Sequence, residues 1–228
     1  MPTRPAPYPF NHLAAVRHLR ARDPKLAALI TRVGRFRMSL QAHEHPFESL
    51  LTSILYQQIH GAAAAAILAR VKQQIGDGGF PSPQQILAAD DAALRATGLS
   101  RQKIAALRDL AAKTHEGVVP AWDEMQAMED GAIIARLTQV RGVGEWTVHM
   151  LLMFRLGRAD VLPTLDYGIR NGYQLAYRKR KMPTPRELAQ YGERWRPYRS
   201  VASWYLWQAV HLERAANGLK RKATSKAR

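Results

Sequence analysis

The chain has 228 residues, 46% of them hydrophobic, which is enough for one large domain or two small ones around a proper core and too apolar for a disordered chain. Its formal net charge of +16 points to a polyanionic partner. Nucleic acid comes before an anionic membrane surface, because the cations are spread along the chain and not gathered on one amphipathic helix. The absence of cysteine excludes a disulfide framework, a Cys-ligated zinc and an iron–sulfur cluster, and fits a reducing compartment.

The N-terminus shows no apolar core behind a basic start, and no apolar run reaches the length of a membrane span, so a cytoplasmic protein with no membrane partner is expected. Pro2, Pro5, Pro7 and Pro9 make the first residues read as an extended arm. Helical patterning follows. Asn11 is an N-cap candidate ahead of Leu13, Val16 and Leu19. Asp23 and Pro24 open a second helix that Gly34 stops. The longest helical stretch, residues 45–76, carries an apolar face of Phe47, Leu50, Leu51, Ile54 and Leu55, is divided at Gly61, and continues as a thin helix of five alanines. After the loop at 77–83 come two short helices opened by Ser82 and Asp90, then one capped by Ser100. His43 and His45 flank Glu44 before a proline and read as a loop, and no histidines show metal-ligand spacing beyond them. Residues 128–140 and 146–157 are helical in pattern on either side of Gly142-Val143-Gly144. Thr184 and Pro185 open another helix, and the basic end of the chain has the composition of a disordered tail. The fold class is all-α, with about ten helices and no repeat.

Two glycines between helices let the chain reverse tightly and let a partner's backbone come close. The first amides of the following helix can hold a phosphate; the alternative is an ordinary helix–helix turn. The stretch resembles the helix-hairpin-helix of the HhH-GPD superfamily of DNA glycosylases, in which a catalytic aspartate follows the hairpin by some twenty residues. Val140-Arg141-Gly142-Val143-Gly144 matches, with Arg141 where that family usually has proline, and ADVLPTLDYGIR supplies the aspartate as Asp166. The resemblance is nearest to the alkylpurine glycosylase II branch. It extends over roughly residues 45–210, through SILYQQIHGAAAAAI, GLSRQKIAAL and ERWRPYRSVASWYLW. Too few residues precede position 45 for the extra β-rich domain of some members, so the compact form is expected.

The resemblance implies a monofunctional glycosylase of base excision repair. Asp166 would stabilise a cation-like sugar and help water attack, or it would merely cap the next helix. Family members that also cut the strand carry a lysine two residues after the second hairpin glycine. Here that residue is Trp146, and no lysine lies nearby, so no lyase activity is expected. Trp146 and Trp207 would be walls of an aromatic pocket for cationic alkylated bases of the 3-methyladenine and 7-methylguanine type, with core packing as the other use of both. Tyr56 and Met150 would join the pocket; Met150 stands where the best-known relative has a tyrosine. Base flipping needs a side chain to fill the gap, and Arg101 matches that position; an exposed phosphate contact is the alternative. Gln57 and Gln58 would touch DNA, or be plain helix residues. Arg141, Gly142, Val143 and Gly144 would bind DNA backbone. Carbonyls of Thr138, Val140 and Val143 would hold a structural sodium or potassium ion. No catalytic metal or other cofactor is implied.

The expected arrangement is two helical subdomains with a catalytic cleft between them. Residues 1–45 would pack with 156–215 and residues 46–155 would form a bundle around the hairpin (136–155), with 216–228 as a basic tail. The partner would be double-stranded DNA containing alkylated bases, bound by a monomer. The competing readings are a glycosylase for deaminated or oxidised bases and a non-catalytic helical DNA-binding protein.

Overall fold

The computed structural model describes residues 8–41 and 45–226, of which 218–226 by backbone alone. Most of the proline arm, and His43, therefore lie outside the described residues. Capping chemistry sets many of the helix boundaries. Asn11 accepts from the Ala14 amide to open α1 (His12–Arg22). Asp23 accepts from Lys25 and Leu26 to open α2 (Pro24–Val33), which Gly34 closes at φ +85°. Helices α3 (Pro46–Tyr56) and α4 (Gly61–Gln74) follow. Ser82, Asp90 and Ser100 cap α5 (Pro83–Ala88), α6 (Asp91–Ala96) and α7 (Arg101–His115). Then come α8 (Trp122–Ala127), α9 (Asp130–Leu137), α10 (Glu145–Phe154) and α11 (Tyr167–Ala176). Thr184 and Glu187 form a reciprocal capping box at α12 (Pro185–Gly192), which leads through a 3-10 turn, Glu193–Trp195, into α13 (Arg199–Lys226).

Among the described residues the fold is all-α, with thirteen helices and no strand. The excess over about ten has local causes. Helix α8 was not foreseen, and the stretch opened by Thr184 and Pro185 divides at Pro197 into α12 with its 3-10 turn and α13. The break between α3 and α4 covers residues 57–60, immediately before Gly61, where α4 begins. Gln57 is extended and Gln58 takes φ +58°, so the helix ends at Tyr56 and His60 caps the next one. Gln57 and Gln58 are therefore not helix residues. The basic end is helical too. Alanine, lysine and arginine propagate a helix that has already been nucleated, and α13 runs on to Lys226.

The chain divides into two compact units, residues 1–41 with 152–228, and residues 42–151, with the passage between them inside α10. In the 42–151 unit, α3 buries Phe47, Leu50, Leu51, Ile54 and Leu55 and packs on α4 and α7. Arg108 of α7 reaches the carbonyls of Leu87 and Ala89 and the carboxylate of Asp91, and so fixes α5 and α6, each too short to persist alone.

In the other unit, α11 lies along α13. A Cβ added at Gly172 would meet the Leu206 carbonyl oxygen at 1.9 Å, and one at Gly168 would meet Trp207 Cδ1 at 2.9 Å. The two glycines are four residues apart and share a helix face, so the helices approach to backbone contact. A buried polar knot completes the unit. Asp23, only 1% exposed, caps α2 with Oδ1 and accepts on Oδ2 from the Tyr177 hydroxyl and, at 2.9 Å, from Trp195 Nε1.

Two outcomes follow from this unit. Gly172→Ala should lower stability by about 1–3 kcal/mol or more and the melting temperature by several degrees, because overpacking here meets backbone and not a movable side chain. An unchanged melting curve would show that α11 can lift off α13 freely. The tyrosines also give the fold an alkaline limit. Burial, then the charges of Tyr191 and Asp23, pushes Tyr173 up from 10.0 to about 12, and burial with the Asp23 hydrogen bond pushes Tyr177 up further. A phenol harder to ionise in the folded state contributes stability that is whole below pH 10 and is lost as pH rises through about 12. Chemical denaturation midpoints measured from pH 9 to 12 should fall across that window, and Tyr177→Phe should flatten the fall.

Candidate active site and nucleic-acid interface

The segment VLPTLDYG turns at Pro163, whose carbonyl accepts from the Asp166 amide at 3.0 Å. Asp166 then caps α11: Oδ1 accepts from Ile169 N at 2.7 Å and from Trp207 Nε1 at 2.9 Å. Capping is thus a real use of this carboxylate, but the second donor, reaching from α13, is more than a cap requires. The Trp207 ring is half-buried and stacks on Phe154 at 5.7 Å and 25°. The missing Cβ at Gly168 lets it come this near, since that Cβ would also lie 3.1 Å from Asp166 Oδ1. Leu165 and Tyr167 flank the carboxylate at 58% and 68% exposure, which places Asp166 at a surface lined by solvent-facing apolar side chains.

The loop before Asp166 is held from the C-terminal segment. Asp160 accepts from Arg196 and Arg199, Ser200 Oγ donates to the Arg158 carbonyl, and that same Oγ accepts from Val161 N. Arg196, Arg199 and Ser200 of ERWRPYRS therefore act on the loop, a role that sequence alone did not reveal. Burial lowers Arg155, just after α10, to about 10.

In the 42–151 unit, Gly142 sits at φ +80°, a conformation that side chains strain, while Gly144 has nothing within 4 Å of its would-be Cβ and is exposed. One glycine makes the turn and the other leaves room beside it. Gln57 Nε2 donates to the Gly142 carbonyl at 2.8 Å. Gln57, Gln58, Arg141 and Gly142 thus come together around an open groove of about 420 Å³. Val143 is buried and belongs to the core. Arg101 is the first residue of α7 and is exposed.

Sequence reasoning missed Lys103. Its ammonium donates to the carbonyls of Leu55 and Gln57, capping the end of α3 from a separate helix, and burial lowers its pKa. No local signal could have found it, because its partners are 46 and 48 residues away.

Trp146 is 44% exposed in the first turn of α10, so it is not a core residue. Half-buried Met150 follows one turn later, and Tyr56, 41% exposed, ends α3. Thr138 ends α9, and the Val140 carbonyl accepts from Val143 N at 3.0 Å. A carbonyl oxygen has a second lone pair, so neutral oxygens at this turn fit a weakly demanding monovalent ion. Among the described residues no cluster of three or more His, Cys, Asp or Glu could hold a metal.

The family comparison spans both the glycine turn and Asp166. The model of the HhH-GPD superfamily of base excision DNA repair proteins matches residues 51–197. The chain belongs to the HhH-GPD superfamily. Over 197 residues it is 39% identical to DNA-3-methyladenine glycosylase 1 of Schizosaccharomyces pombe, covering 86% of each chain. It is also similar to the solved structure of the 3-methyladenine DNA glycosylase Mag1 of that organism in complex with abasic DNA (TM-score 0.75, 38% identity, 86% of this chain and 95% of that one). The crystal structure of a DNA-3-methyladenine glycosidase from Bacillus halodurans matches with a TM-score of 0.78 and 35% identity, over 86% of this chain and 88% of that one.

The one departure within the HhH-GPD hairpin has a structural use. Arg141 N donates to Asp109 Oδ2 at 2.7 Å, a bond that a proline, lacking the N–H, could not make.

Lys103→Met should speed amide exchange over residues 57–60 and lower stability by about 1–3 kcal/mol, since two carbonyls lose a charged donor. Protection there equal to that of the unaltered protein would show that Gln58 holds its conformation without the clamp.

Proposed function

We propose that this chain is a monofunctional DNA glycosylase that removes alkylated bases of the 3-methyladenine and 7-methylguanine type from duplex DNA. The observation that carries the reading is the Asp166 carboxylate, held at 2.7 and 2.9 Å by donors from α11 and α13 and flanked by exposed apolar side chains. The base must first leave the stack. Its glycosidic bond then breaks with the electron pair going to the base, and C1′ of the sugar becomes cationic. A carboxylate about 4 Å from that cation, at an effective dielectric near 20, stabilises it by about 4 kcal/mol, or about a thousandfold in rate. Water adds to C1′ and loses its proton, with Asp166 as the nearby base. The products are the free base and an abasic site.

Alkylation leaves the base electron-poor and already a good leaving group, so an aromatic surface suits it better than a specific hydrogen-bond code. Trp146 and Trp207, with Met150 and Tyr56, are the residues assigned to that surface. Trp146 also stands in place of the lysine that a lyase would use, and the arginines of the chain stay protonated and make poor amine nucleophiles. Arg141 to Gly144, Gln57, Gln58 and Arg101 are assigned to the DNA. The carbonyls of Thr138, Val140 and Val143 would hold a monovalent cation, which supplies positive charge toward a phosphate.

The test is base release from methylated duplex DNA under single-turnover conditions. Asp166→Asn keeps a good helix cap, so the fold is preserved while the rate should fall about a thousandfold. Trp207→Phe keeps the stack on Phe154 and removes the donor, and should lower the rate by about tenfold to a hundredfold. Borohydride should trap no covalent adduct. DNA binding without base release by any of these proteins would reduce the hairpin to a clamp and end the enzyme reading.

A further inference from the structure

Seven cations and two carboxylates lie between Arg170 and Arg194, a net +5 of the chain's +16 within about a ninth of its length. Arg178, Lys179, Arg180 and Lys181 are consecutive and exposed. Like charges so crowded repel one another, and the usual relief is a carboxylate neighbour. None of these four, nor Arg186 or Arg194, lies within 4 Å of a carboxylate oxygen among the described residues. Nearby in the chain, Arg196 and Arg199 lie 2.6 and 2.7 Å from Asp160. Arg196 and Arg199 are thus tied to a carboxylate, whereas the loop cations make no ion pair within 4 Å among the described residues, although, after the Thr184 hydrogen bonds, the charge of Lys179 helps to lower the pKa of Glu187.

The group is also built. Arg178 takes φ +51°, an unusual conformation for a residue other than glycine. Lys179 N donates to the Gln174 carbonyl at 2.9 Å, Gln174 Nε2 to the Arg180 carbonyl at 3.3 Å, and Arg170 Nε to the Pro183 carbonyl at 2.8 Å. These bonds fold the loop back along the outer face of α11, the face away from Gly168 and Gly172. Asp166 and the loop at 178–183 stand at opposite ends of α11, a helix about 15 Å long, with Arg170 reaching from its first turns to the loop. An open groove of about 460 Å³ borders the loop, lined by Lys179, Lys181, Tyr191 and Arg194, and the Arg194 guanidinium stacks on the Tyr191 ring at 3.7 Å. Glu187 is the groove's one carboxylate, and its Oε2 is taken by Thr184 N and Oγ1.

We propose that the loop at 178–183, with Arg194, is a second phosphodiester-binding surface, separate from the glycine hairpin, that grips the backbone of the duplex flanking the nucleotide at Asp166. It rests on the glycosylase reading for the identity of the polyanion. A rigid row of cations matches a row of phosphates, and binding releases condensed counterions from the DNA, so its signature is a salt dependence.

The experiment compares the unaltered protein with a triple variant, Lys179→Gln with Arg180→Gln and Lys181→Gln. A control of equal charge change, Arg32→Gln with Arg35→Gln and Arg37→Gln, removes exposed cations elsewhere. Affinity for an undamaged 20-base-pair duplex is read by fluorescence anisotropy across salt concentrations, and melting curves check the fold. The proposal expects the loop variant to lose about 0.9 of salt slope for each phosphate contact removed, so about 2 to 3 in all, with the control nearly unchanged. Equal losses in both variants would reduce the effect to net charge, and no loss in either would leave the loop off the DNA. Both results overturn this surface while base release by the unaltered protein keeps the glycosylase reading. Loss of binding to phosphatidylserine vesicles with DNA binding intact would reassign the loop to a membrane and also overturn the proposal. A duplex that does not bind even the unaltered protein, with no base released, would instead sink the glycosylase reading itself.

Discussion

The backbone contact between α11 and α13 sets the geometry on which the candidate site depends. Where Gly172 meets the Leu206 carbonyl there is no room for one carbon atom, and a Cβ at Gly168 would crowd the Trp207 ring at 2.9 Å. What brings the Trp207 N–H onto the Asp166 carboxylate is therefore an absence of side chain at two positions four residues apart. Close approach of this kind brings many weak contacts together, Cα–H donors to carbonyls among them, and no single strong one. It fixes a distance far better than a long flexible side chain could. A site that must hold one carboxylate within a few tenths of an ångström gains more from that rigidity than from an added hydrogen bond.

The legible part of the structure was the part written locally. Asn11, Asp23, Ser100 and Thr184 read as caps because a cap is a matter of a few adjacent residues, and each caps in the structure. The hairpin glycines read as a reversal between helices, and the resemblance to the glycosylase superfamily is what singled out Asp166. The end of α3 was not legible. Nothing in LYQQIHG stops a helix there; Lys103 does, from nearly fifty positions away. The same holds for Asp109, which gives Arg141 its place, and for Asp160, which makes ERWRPYRS a brace for the loop ahead of the aspartate. Trp195, to which sequence reasoning assigned no role, is wholly buried in a polar knot, whereas Trp207 lies beside Asp166.

Arginine does much of the structural joining. Arg70, Arg108 and Arg136 each reach a carbonyl of a neighbouring turn, and Arg108 and Arg136 also take a carboxylate. The planar fork serves several acceptors at once, which suits a protein whose helices are short and whose ends are many. Some of the chain's arginines thus serve its own helix ends, while the net excess of +16 over the carboxylates is left for a polyanion.

Asp23 has a consequence for how the protein is made. Its two side-chain partners, Tyr177 and Trp195, come 154 and 172 residues later in the chain. At typical synthesis rates the ribosome needs about ten to thirty seconds to reach them. Through that interval Leu26, Leu29 and Ile30 have lost none of their need for cover and have not yet met α13. Residues 42–151, contiguous in the chain, can complete their own core meanwhile. Helices α1 and α2 thus wait for partners made much later, and their apolar faces are what the nascent chain exposes longest to aggregation or to capture by a chaperone.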